Sequence, residues 1–124
     1  PSRRKTTTVI HTILEIDIGG TVEQAGLDRL RAHLNLTKSG RLTDDWDYTF
    51  GHRMIKRTTD QYTNIHLFRD DDGSWEVSVS DTDERDPNDP ELTSLRDELV
   101  DGITAAGYQP TVRAKPTYGT RPPG

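Results

Sequence analysis

The stretch Thr7–Leu34, TTVIHTILEIDIGGTVEQAGLDRLRAHL, changes its hydrophobic period halfway along, and that change decides the fold. From Thr7 to Ile18 apolar residues alternate. Ile10, Leu14, Ile16 and Ile18 fall on one side, and His11, Ile13, Glu15 and Asp17 on the other. Period two in a β-branched run predicts a strand with one buried face. Gly19-Gly20 breaks the run. Thr21, three residues before Gln24, fits a capping box, in which hydroxyl and amide satisfy N–H groups of a first helical turn. Leu27, Leu30 and Leu34 then recur at spacings of three and four, which predicts an amphipathic helix over about residues 21–35.

Downstream, Lys38-Ser39-Gly40 reads as a loop, and three strands are expected in succession. Residues 46–55 place Trp46, Tyr48, Phe50 and Met54 on one face, with His52 at the rim of that apolar side. Thr49, Gly51 and Arg53 lie opposite, and Gly51 is where a bulge would reverse the parity. Residues 61–69 set Ile65 and Leu67 against Asn64, His66 and Phe68. Asp72-Gly73 signals a type I′ hairpin turn into 74–80, where Trp75, Val77 and Val79 alternate with Glu76 and Ser78. Asp81 to Asp89 is acidic and turn-like. Asp89 then suits an N-cap with Pro90 at the first helical position. Leu92, Leu95, Leu99, Ile103 and Ala106 make a helical stripe that Gly107 closes. Tyr108–Val112 reads as a last, short strand that Pro110 confines to a sheet edge or to a strand start.

The order β-α-β-β-β-α-β implies an α+β two-layer sandwich, a mainly antiparallel sheet with two helices on one face and the other face open. It carries one strand more than a ferredoxin-like plait. The expected core is Ile10, Leu14, Ile16, Leu27, Leu30, Leu34, Phe50, Leu67, Val77, Leu95, Leu99 and Ile103. Residues 7–112 read as one domain between a basic N-terminal segment, 1–6, and a Pro/Gly-rich tail, 113–124, both expected to be flexible.

Composition narrows the function. The chain has 124 residues, 16 Lys and Arg against 21 Asp and Glu, a net charge of −5, and no cysteine. A disulfide framework, a redox pair and a thiolate metal site are therefore excluded. Net acidity argues against nucleic acid as partner, because phosphate contacts need a basic field. No stretch approaches the ~20 apolar residues of a membrane span, and no signal-peptide pattern opens the chain. A cytoplasmic protein that does not engage a membrane is the expectation.

Motifs for bound groups fail on inspection, so no cofactor and no metal are expected. Gly19-Gly20-Thr21 lacks the further glycines of a dinucleotide fingerprint and the Lys-Ser/Thr of a P-loop. Asp70-Asp71-Asp72-Gly73 does not fit a calcium loop. With Gly73 at the sixth position, Phe68 and Val79 stand where carboxylates belong. Asp81, Asp83, Glu84 and Asp86 read as a solvated loop before a helix N-terminus, where negative charge is favourable.

The open face holds what remains. Strand parity puts His11 and His66 there with Glu15 and Arg53, while His33 falls on the exposed flank of the first helix. Two imidazoles, a carboxylate and a guanidinium are the ingredients of acid–base cleavage of a phosphodiester. That alternative requires His11 and His66 to reach one scissile phosphate, and the acidic balance opposes it. The same face offers His11, Ile13, Arg53, Asn64, His66 and Phe68 as a mixed aromatic, aliphatic and polar binding surface. A small acidic domain without catalytic motifs suits an inhibitor, immunity, chaperone or adaptor role. A basic protein partner is favoured, because complementary fields speed association.

Overall fold

A computed structural model describes residues 11–44, 48–82 and 88–113. The fold is α+β, a six-stranded antiparallel sheet with two helices. The chain runs β1 (His11–Gly19), α1 (Gln24–Leu34), β2 (Thr37–Lys38), β3 (Thr49–Lys56), β4 (Tyr62–Arg69), β5 (Trp75–Asp81), α2 (Pro90–Ala105) and β6 (Gln109–Val112). Across the sheet the order is β2-β3-β4-β5-β1-β6. The meander β3-β4-β5 was expected. The two-residue β2, read as part of a loop, pairs Thr37 with His52 and Lys38 with Gly51.

The core sits between the sheet and the helices. Leu14, Ile16 and Ile18 of β1, Ile65 and Leu67 of β4, and Trp75, Val77 and Val79 of β5 are buried with Leu27, Leu30 and Leu34 of α1 and Leu92, Leu99 and Ile103 of α2. Leu95, expected in the core, is only partly buried, and Ile10 lies outside the described residues. Phe50 packs on Trp75 with ring centroids 4.9 Å apart, and the Arg69 guanidinium lies 4.7 Å above the Phe50 ring.

Local chemistry sets the helix ends. Asp89 caps α2 by accepting from the Glu91 N–H at 2.9 Å, with Pro90 following it. At the other end Gly107 takes φ 95°, where the Tyr108 N–H reaches back to the Ile103 carbonyl. The capping box expected at Thr21 does not form. α1 starts later, with Glu23 at its N-cap and no side-chain hydrogen bond there. The β4–β5 turn is not type I′ either. Gly73 alone has positive φ, 88°, and its N–H donates to the Asp70 carbonyl, so the chain makes a type I turn closed by a left-handed glycine. Asp72 accepts from the Ser74 N–H and hydroxyl, and these bonds hold its carboxyl below the usual range.

Asp81 departs most from expectation. It is the last residue of β5 and is fully buried, bonded to Arg57 and Thr63 at 2.6 Å each. Asp83, Glu84 and Asp86 lie outside the described residues.

Two bulges determine which residues face the helices. On β1, Thr12 opposes Ser80 and Leu14 opposes Val79, so Ile13 is the extra residue. On β3, Thr49 opposes Phe68 and Gly51 opposes Leu67, so Phe50 is extra. Each insertion reverses the parity of the strand on one side of it. The Phe50 carbonyl accepts from Nε of buried Arg31 on α1 at 2.8 Å, which ties the second bulge to the helix layer.

Candidate functional site on the open sheet face

Directly opposed residues of an antiparallel pair share a face, so the register assigns the open face strand by strand. One cross-strand row runs Thr37, His52, His66, Ser78, Glu15. Beside it runs Thr49, Phe68, Glu76, Asp17, Thr111. A third row holds Met54, Asn64, Ser80 and Thr12.

The face therefore has two halves. On β3 and β4 the rings of His52 and His66 stack with centroids 4.7 Å apart and planes at 26°. Phe68 continues the stack against His66 at 5.4 Å. His52 Nε2 lies 3.0 Å from Asn64 Oδ1, and Met54 beside them is 55% exposed. Burial, and then the charge on a protonated His52, push the His66 imidazole below its ordinary value, so the neutral ring is favoured.

On β1 and β5 three carboxylates converge on one guanidinium. Arg113, the residue after β6, contacts Glu15 at 2.9 Å, Asp17 at 2.7 Å and Glu76 at 2.6 Å. Its N–H also donates to the Glu15 carbonyl at 3.0 Å, which extends the β6 pairing by a residue. Glu15 is 7% exposed, an unusual burial for a carboxylate outside the core. Hydrogen bonding to Asp17 strengthens the proton affinity of Arg113. Burial and the nearby Asp70 raise the Glu76 carboxyl, and Arg113 partly offsets them.

Of the residues read from the sequence as sharing this face, Glu15, Asp17, Asn64, His66, Phe68 and Glu76 do. Three others do not. His11 opposes the buried Asp81 and so lies on the helix side, because the Ile13 bulge separates it from the parity of Glu15. Ile13 packs partly buried against the core. Arg53 opposes Ile65 on the helix side, donating to the Leu34 carbonyl at 3.3 Å and to Glu98 on α2 at 2.6 Å. It joins the two helices and is a structural ion pair. His11 and His66 thus lie on opposite faces, and the acid–base pair that phosphodiester cleavage would need is not assembled.

His52 moved the other way. Assigned to the rim of the core, it joins the open face beyond the Phe50 bulge. Gly51 was the available signal for that bulge. A side chain there would meet Leu36 Cβ at 2.9 Å, so the adjoining chain requires glycine.

A groove of about 340 Å³ lies on the opposite side, between α2 and the ends of β3 and β4, lined by Ile55, Arg57, Thr63, Glu91, Leu92 and Leu95. Of the two cations lining it, Arg57 is paired with Asp81 and Lys56 is exposed at its rim. No helix among the described residues is long and apolar enough to cross a membrane, and no group of three His, Cys, Asp or Glu that could hold a metal ion occurs among them. Comparisons of the chain with protein-family models, with curated proteins and with solved structures give no match.

Proposed function

We propose that the protein is a binding module that docks a basic protein partner on the open face of its sheet, in the manner of an inhibitor, immunity, chaperone or adaptor protein. One observation carries this reading. The ring stack of His52, His66 and Phe68, with exposed Met54 beside it, adjoins three carboxylates gathered by Arg113 on the same rigid surface. Aromatic and thioether groups make good anchors at interface centres. Carboxylates at the margin, in a chain of net charge −5, draw a basic partner and speed its encounter. Strand-borne groups are ordered before binding, so little side-chain freedom is lost when a partner docks.

The test is quantitative capture from an extract of the source organism. The baits are the wild-type chain, the double variant Met54→Arg with Asp17→Lys, and the control Asp97→Lys on the exposed side of α2. A basic protein retained by wild type and control but lost by the double variant is the expected result. A partner lost by the α2 control and retained by the open-face variant would place docking on the helices instead.

A further inference from the structure

We propose that His52, His66 and Asn64 form a binding site for one divalent ion of the zinc, nickel or copper type. The proposal does not depend on the docking reading. His52 and His66 stand directly opposite each other on β3 and β4, with rings stacked 4.7 Å apart. Asn64 is two residues from His66 on the same face and places Oδ1 3.0 Å from His52 Nε2. Metal–nitrogen and metal–oxygen bonds in such sites are about 2.1 Å long. Two donors at that length are separated by about 3.0 Å in a square or octahedral shell and about 3.4 Å in a tetrahedral one. The His52–Asn64 hydrogen bond is close to the shorter of these spans, and a metal taking its place would displace the proton that it holds on Nε2.

His66 enters the same shell through its second side-chain torsion, a broad one for a histidine ring. With His52 left beside Asn64, turning the stacked His66 ring about this torsion swings its nitrogens toward that pair. The sheet holds both backbones fixed, so little order is lost on binding.

The donor set selects the ion. Two imidazoles and an amide oxygen suit late first-row metals and lack the carboxylates that calcium or magnesium demand. Imidazole binds metal only when neutral, so binding should weaken as pH falls through the ordinary imidazole range. Half-buried on a face open to water, the three residues leave the remaining positions to solvent, which suits affinity well below that of a closed four-ligand site.

Titration of the full chain with copper(II) and zinc(II) at about pH 7.5, where imidazole is neutral, tests the site. Copper(II), being paramagnetic, should broaden the amide signals of His52, Asn64 and His66 first. Calorimetry should give one equivalent of zinc(II). His52→Gln and His66→Gln should each weaken binding about ten-fold or more, Asn64→Ala should also weaken it, and His33→Ala should leave it unchanged. These side chains lie outside the core, so the variants should keep the wild-type amide spectrum, which the same data verify. Broadening centred on His11 or His33, affinity unchanged in both His→Gln variants, or no saturable binding up to about 1 mM zinc(II) would overturn the proposal.

Discussion

Arg113 holds together three carboxylates that would otherwise repel one another across β1 and β5. With Glu15 almost buried and Arg113 about one-third exposed, the cluster lies between a surface ion pair and a buried one. Arg113→Ala should therefore cost about 1–2 kcal/mol at neutral pH by chemical denaturation. The sign of its pH dependence follows from Glu76, whose folded-state carboxyl is raised. Such a group favours the folded state once protonated and costs stability as pH rises through its folded value. Without Arg113 that cost grows, so the deficit of the variant should shrink as pH falls below the carboxylate range. A deficit independent of pH would mean that lost packing, not charge, dominates. None of this was legible from the sequence, where Arg113 opens an expected tail and Glu76 and Asp17 are 37 and 96 residues away. Asp81 was partly legible. It continues the period-two series of Trp75, Val77 and Val79, but an acidic neighbourhood outweighed the parity.

The elements were readable where the periodicity is unbroken. Both leucine stripes became helices, and the Asp89-Pro90 start and Gly107 stop of α2 formed as their chemistry requires. Facing failed at β1 and β3 for one physical reason, since a single inserted residue carries every side chain beyond it to the other face. Gly51 signals the β3 bulge, whereas nothing in Thr12-Ile13-Leu14 marks the one on β1. Where α1 meets α2, Gly102 sets the approach of the helices. A Cβ at this position would lie 2.7 Å from Leu34 Cδ2 and 2.9 Å from the His33 carbonyl oxygen. Alanine in a helix interior ordinarily gains about 1 kcal/mol over glycine. Overpacking against backbone costs about 1–3 kcal/mol, so the clash should win. Gly102→Ala should lower the melting temperature, and a rise would show that the helices separate without cost.

For the whole molecule, placing both helices on one side of the sheet leaves rings and carboxylates on the other, and part of the pH dependence of stability is set on that face. Burial holds the His66 imidazole below the ordinary value of about 6.5. The unfolded chain therefore takes up this proton first, so the contribution of His66 is intact above about pH 6.5 and is lost as pH falls toward its folded value. The charge that faces it directly is that of His52, its cross-strand neighbour on β3. The melting temperature should fall between about pH 7 and 5, and His66→Gln should flatten that part of the curve. An unchanged slope would assign the loss to other groups.

Docking on the open face is tested most directly by a photo-activated cross-linker, benzoylphenylalanine, placed at position 54 and, in a second chain, at exposed position 33 on α1. Each chain is irradiated in an extract of the source organism. A covalent adduct with one basic protein at position 54, absent at position 33, is the expected result. An adduct at position 33 with none at position 54 would contradict it.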